Sequence, residues 1–269
     1  MAEVIALWVN KGGTWKTTFT DIVPAILQVE KGKKVLVIDA DPQANLTTDN
    51  GIDYSNVPTL YEVIKKAAAP QEVIINTRLF DILPAPDKIA LENADLFGNG
   101  PAKEYTLKRL LSPLKGEYDY IFVDVGTGFG MLTMNALTFV DQVIFPVQPS
   151  RNSITGMEQS IENIAQIQPE LNPSLRIRGM VLGKIPQQKV IGIEKQVKRA
   201  IEFAEAFNIP VFKTSMRHSF KIEDTEDEKT REDMNPYEAM PNEAFIDDLR
   251  ELSDEILRGG PKNDTKSTT

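Results

Sequence analysis

The chemistry-bearing residues are densest at Asn10-Lys11-Gly12-Gly13-Thr14-Trp15-Lys16-Thr17-Thr18. Lysines, glycines and hydroxyls at this spacing suit a bound polyphosphate, with all of Lys11 to Thr18 contributing. Gly12 and Gly13 let backbone N–H groups approach phosphate oxygens. Lys16 supplies positive charge between the outer phosphates, and the Thr17 hydroxyl is placed to ligate Mg2+. Lys11 comes too early in the loop to fold back onto the phosphates that Lys16 serves. Its natural target is a second nucleotide across a dimer interface.

Two positions depart from the strict phosphate-loop pattern: Asn10 and Trp15 stand where glycines are usual. The residue before the lysine often needs positive φ, which costs a bulky side chain roughly 1–2 kcal/mol. Trp15 is therefore either tolerated by its surroundings or a nucleotide sensor that stacks on a base.

The elements around the loop must hold it rigidly. Val4–Val9 is an apolar run that reads as a buried strand. Residues 17–30 read as a helix capped by Gly32, with Pro24 expected to kink it. Lys34–Asp39 is a strand ending in Asp39-Ala40-Asp41-Pro42, two carboxylates at the sheet edge where ligands bind in open parallel sheets. Residues 46–78 are poorly patterned apart from a short helix over 60–68. Further strands are expected at 79–83, 118–124 (ending in Asp124), 143–147, 175–182 and 210–213. Helices are expected at 105–114, 131–139, about 152–167, 192–207 and 242–257. Gly126–Gly130 is a glycine-rich loop, and Arg151 follows a strand end, for nucleotide or for a surface ion pair. Alternating strands and helices, with strands apolar on both faces, predict a parallel sheet covered on two sides. One domain over 1–258 with a polar, disordered tail at 259–269 fits the pattern.

Composition narrows the function classes. The 269 residues contain no cysteine, which removes disulfides and thiolate chemistry, and one histidine, His218, which reads as incidental. No apolar run reaches membrane-spanning length, and no signal-peptide order opens the chain, so a cytoplasmic protein is expected. The net charge of −9 hides an uneven distribution. Residues 184–221 hold eight Lys/Arg against three acids, whereas 222–256 hold fourteen acids against three basic residues. The acidic run Glu223–Asp233 reads as an exposed loop, or a segment for partner docking or autoinhibition.

Three motifs in this order, Lys11-Gly12-Gly13-x-x-Lys16-Thr17-Thr18, Asp39-x-Asp41-Pro42-Gln43-x-Asn45 and a strand ending at Asp124, resemble the ParA/MinD family of deviant Walker ATPases, ParA branch. The resemblance continues through Tyr118–Ile121 and Pro146–Pro149 and spans about residues 2–257. Gly126-Thr127 departs from it, standing where the family usually carries two prolines. The resemblance implies a single-domain P-loop NTPase fold and a homodimer closed by ATP and Mg2+. Lys11 would then be the signature lysine, Lys16 and Thr17 the phosphate and magnesium residues, and Asp41 the carboxylate positioning the attacking water. Asp39 would be its neighbour in the first switch, and Asp124 the acid that holds Mg2+ through water. It also implies nonspecific DNA binding on the nucleoid, with hydrolysis stimulated by a ParB-like or cargo-adaptor protein. Lys184, Lys189, Lys198, Arg199, Arg217 and Lys221 are the candidate DNA contacts. Two other readings stay open: a nucleotide-binding scaffold whose hydrolysis Trp15 impairs, and a membrane-attached MinD-like ATPase. The absence of a basic amphipathic C-terminal helix argues against the second.

Overall fold

Strand β1 (Glu3–Leu7) lies inside an eight-stranded sheet of the computed structural model, which describes residues 1–86, 96–98, 100–188, 190, 192–219 and 235–261, with side chains at 151 and 152 excluded. The other strands are β2 (Val35–Ala40), β3 (Ile75–Asn76), β4 (Asp81–Leu83), β5 (Tyr120–Val125), β6 (Gln142–Val147), β7 (Arg176–Ile185) and β8 (Val211–Arg217). Their order is β3-β4-β2-β5-β1-β6-β7-β8, and every pair is parallel except β3 with β4. The inner strands are rich in β-branched residues and buried on both faces, as a sheet between two helical layers requires.

Alternate residues of β1 enter different cores. Val4, Ala6 and the following Trp8 join one cluster, which contains Ala136, Leu137 and Phe139 of α6 (Met131–Phe139). Ile5 and Leu7 join the other, with Phe19, Ile22 and Ile26 of α1 (Lys16–Val29) and Phe245, Leu249 and Leu252 of the C-terminal helix α10 (Ala244–Leu257). The remaining helices are α2 (Asn45–Asp49), α3 (Leu60–Ile64), α4 (Pro70–Val73), α5 (Thr106–Leu111), α7 (Arg151–Ile167), α8 (Ile193–Ala206) and α9 (Pro236–Ala239).

Several boundaries differ from the sequence expectation, each for a local reason. The helix expected over 105–114 is divided into α5 and a 3-10 turn at Ser112–Gly116, where Pro113 withholds an N–H from the ladder. Strand β8 is longer than 210–213 because one face is exposed, so polar residues alternate with buried ones and obscure the apolar run. The two-residue β3 is too short to leave any period. Pro24 sits inside a single continuous α1. At the far end Gly259 and Gly260 donate back to the carbonyls of Ile256 and Glu255, and residues 262–269 of the expected tail lie outside the described residues. The acidic run Glu223–Asp233, with Lys189 and Lys221, also lies outside them.

Candidate functional site

Sheet register brings the carboxylates together. Asp124 on β5 is paired with Leu7 of β1 on one side and with Asp39 of β2 on the other. Both acids alternate with residues of the first core, so they project on the face covered by α1, the helix the glycine-rich loop leads into.

These acids differ in their bonding. Asp39 is fully buried, and both of its oxygens accept hydrogen bonds: Oδ1 from the Asp41 amide at 3.0 Å, Oδ2 from the Thr47 amide at 3.0 Å and hydroxyl at 2.7 Å. Burial pushes its carboxyl up to about 7 despite those donors. Asp124 is 1% exposed, and among the described residues neither oxygen makes a hydrogen bond of ordinary geometry. Burial pushes it up to about 8; Asp39 and Asp41 add to the rise, while a loose approach of the Thr17 hydroxyl and the charge of Lys16 oppose it. A buried carboxylate so weakly satisfied is a strong place for a cation. Among the described residues no group of three or more His, Cys, Asp or Glu converges as a metal cage. Mg2+ takes one or two protein oxygens and fills its shell with phosphate and water, so a buried Asp124 carboxylate beside the Thr17 hydroxyl suits it.

The loop opposite is built by its sequence. Gly13 has φ 69°, in the left-handed region where glycine carries no Cβ penalty. The Lys16 ammonium is buried and donates to the Lys11 carbonyl at 2.9 Å. Desolvation lowers its pKa, with Asp124 and Asp41 pulling it back up. Asn10 is clamped from α7: its amide donates to Ser160 Oγ at 2.8 Å, and Gly156 permits the approach, since a Cβ there would stand 3.1 Å from Lys11 Cβ. Between the loop and the acids lies a cleft of ≈ 830 Å³ lined by Gly12, Gly13, Lys16, Thr17, Asp41 and Gly126, among others.

Two segments close the cleft. Asp41 turns its own loop by accepting from the Gln43 amide at 3.0 Å. The loop after β5 approaches from the other side; its Gly126 carbonyl accepts from the indole of Trp8 at 3.1 Å. Thr127 lies beside Gly12, whose Cβ position would be 4.0 Å from the threonine methyl.

With this geometry in place the comparisons are specific. A family model described as an AAA domain matches residues 2–177. The sporulation initiation inhibitor protein Soj of Bacillus subtilis is 32% identical over 227 residues, 82% of this chain and 87% of that protein. The chain belongs to the ParA/MinD-type P-loop ATPase family. The chromosome partitioning protein ParA of Caulobacter vibrioides is 34% identical over 185 residues, covering 67% of this chain and 68% of that one. Among solved structures, cobyrinic acid a,c-diamide synthase from Mycobacterium smegmatis, with bound ADP and magnesium, superposes with TM-score 0.80 at 26% identity over 96% of this chain and 95% of that one. Apo McdA from Cyanothece shares the fold, with TM-score 0.81 at 20% identity over 96% and 100% of the two chains.

The departures of this ParA-family chain from the usual loop are accommodated in two ways. Trp15 takes the left-handed conformation expected of the missing glycine, φ 61° and ψ 26°. Its side chain turns away from bulk solvent and is 4% exposed. It meets Phe245 edge-on with ring centroids 4.8 Å apart, Phe19 at 6.5 Å, and His218 in a parallel stack at 6.2 Å. The Lys184 ammonium lies 5.1 Å from its ring centroid. His218 is thus a packing partner of the loop, correcting its reading as incidental. Spacing carried no signal for this, because 203 residues separate the two rings. The base-stacking role considered for Trp15 fits poorly with a ring already enclosed by protein.

The four described basic candidates differ in exposure and bonding. Lys184 is half-buried over Trp15, beside a register shift of β7 against β8. Arg217 binds Asp248 of α10 through Nε at 2.8 Å and Nη2 at 2.6 Å. On α8, Lys198 is exposed with a loose ion pair to Glu202 at 3.7 Å, and Arg199 is half-buried. Among the described residues no helix is long and apolar enough to cross a membrane.

Proposed function

We propose that this chain is a ParA-type partition ATPase. ATP with Mg2+ draws two copies into a dimer, the dimer holds DNA without sequence preference, and hydrolysis releases it. The observation that carries this reading is the meeting of Lys16, Thr17 and Asp41 at one cleft behind a glycine-rich turn, with the buried Asp124 carboxylate interacting with Lys16 and Thr17. The family membership supports it, as do the magnesium and ADP of the M. smegmatis neighbour.

Each residue then has a task. The backbone of Gly12 to Thr18 cradles phosphates at the start of α1. Lys16 neutralises the outer phosphates, and Lys11 serves the nucleotide of the partner copy. Thr17 directly and Asp124 through water would hold Mg2+, whose charge would offset that gathering on the phosphate oxygens. Asp41 orients the attacking water, and Asp39 ties the start of its loop to α2 by accepting from the Asp41 amide and from the Thr47 amide and hydroxyl. Lys198 and Arg199, with Lys189 and Lys221, supply DNA phosphate contacts, placing the dimer on the nucleoid. Lys184 and Arg217 serve the fold instead. A ParB-like or cargo-adaptor protein speeds hydrolysis.

Asp41→Ala tests the assignment: ATP binding is retained while turnover falls at least ~100-fold. Unchanged turnover would sink it. Sedimentation with ATP, with ADP and without nucleotide tests the dimer, which should form with ATP alone. A monomer in all three removes the partition mechanism.

A further inference from the structure

We propose that Trp8 and Gly126 are positioning residues for hydrolysis, setting where the Asp41 carboxylate stands; the inference rests on the reading of Asp41 as the water-orienting group. Three contacts carry it. Trp8 follows β1 and is fully buried, its own amide fixed to the Ile144 carbonyl at 3.1 Å. Its indole N–H crosses to the loop after β5 and donates to the Gly126 carbonyl at 3.1 Å. The ring is also flanked by Phe129 of that loop, with centroids 6.4 Å apart. A fully buried donor with one acceptor fixes that acceptor, because either group left alone would lose its hydrogen bond without regaining water.

The fixed residue is the one lying against Asp41. A Cβ on Gly126 would stand 3.1 Å from Asp41 Oδ1, 3.3 Å from its Cγ and 3.5 Å from Pro42 Cδ. Gly126 is not in the left-handed region, so its backbone conformation does not call for glycine. The carboxylate does. Asp41 is also held by the Gln43 amide on Oδ1 and, through its own amide, by Asp39. Asp41 is thus gripped between its own loop and the Gly126 backbone, and the sheet dictates that backbone's position through Trp8.

An added methyl at Gly126 has to displace either the carboxylate or the loop by a few tenths of an ångström. Misplacement on this scale matters to a group that orients a reactant and little to one that binds phosphate. Gly126→Ala therefore lowers kcat several-fold to roughly 10-fold while ATP affinity stays within about twofold. Trp8→Phe keeps a ring in the core and removes only the donor, and gives the same pattern more weakly.

The experiment measures kcat, the equilibrium Kd for ATP with Mg2+ and the thermal midpoint for wild type and both variants. A fall in kcat at constant Kd and constant midpoint supports the inference. Unchanged kcat in Gly126→Ala, beside an active wild type, overturns it alone. So does a weakened Kd at constant kcat, since the loop would then serve binding. An inactive wild type overturns the Asp41 reading and the inference together. Gly126 lies on a loop, so its variant decides the matter even where Trp8→Phe fails to fold.

Discussion

The chain has two tryptophans, and they stand at the two ends of the phosphate loop, on opposite sides of the sheet. Trp8 gives its indole N–H to Gly126 and joins the loop to the acids. Trp15 gives its N–H to no acceptor among the described residues and joins the loop to α10 and the end of β8 by ring packing. Two features near the loop are unfavourable. One is a bulky residue at positive φ, and burial of the Trp15 ring among Phe245, Phe19 and His218 offsets it within the fold. The other is the Asp124 carboxylate, buried on the α1 face of the sheet with no hydrogen bond of ordinary geometry among the described residues. The first is a structural compromise that the chain settles by itself. The second leaves a demand for positive charge at the cleft, and that distinction separates scaffold from site.

The largest effect should come from removing the Trp15 ring. Trp15→Ala loses a buried aromatic and should cost about 3–5 kcal/mol of stability. Trp15→Gly removes slightly more volume yet should be the milder change by about 1 kcal/mol, because glycine has no Cβ penalty at φ 61°. Urea midpoints of the two variants measure this order. Alanine proving the more stable would mean the loop relaxes out of the left-handed region, and the contrast between the two sides would lose its footing.

The acid side should respond to pH instead. Asp124 in the folded state is raised from 3.8 to about 8, so between those values the folded protein keeps a proton that the unfolded chain has released. Stability from this group is full below about pH 4 and is lost as pH rises through about 8. Asp39, raised to about 7, acts with the same sign. Asp124→Asn cannot ionise, so without nucleotide at pH 8 it should be more stable than wild type by a few kcal/mol, about 1.36 kcal/mol for each pH unit by which the carboxyl is raised, and should show the higher Tm. Mg2+ with ATP should reverse that order. Equal pH slopes in the two proteins would remove Asp124 from the account.

The sequence made the acid side legible and left the Trp15 side largely hidden. Lys16, Thr17, Asp39, Asp41 and Asp124 stand in contiguous motifs at strand ends, and β-branched runs make those strands readable, so register alone brings them together. The positive φ of Trp15 was also predictable from its place before the lysine. Its partners were not: Lys184, His218 and Phe245 come from three later elements, and only the β7–β8 bulge and the docking of α10 bring them to one ring. Gly126 is intermediate, visible as a departure from the family's prolines, while its reason, contact with Asp41, needed coordinates. The basic block shows a different limit. Its charge count points to a DNA face, but counting cannot tell a cation paired with Asp248 from one facing solvent.

Lys184 gives the smallest effect and bears on both sides of the comparison. A cation beside an indole at a half-buried position contributes roughly 0.5–1 kcal/mol. Lys184→Met keeps the length and apolar stem while removing the charge, so stability should fall by about that amount and Trp15 should stay enclosed. The same variant reports on DNA. A lysine neutralising a phosphate contributes about one unit to the slope of log affinity against log salt, whereas a lysine held over Trp15 contributes none. An unchanged slope in ATP is expected for Lys184→Met, with Lys198→Gln as the variant that lowers it. A lowered slope for Lys184→Met would place the loop's packing partner on the DNA as well, and would make the Trp15 side a direct link between nucleotide and DNA.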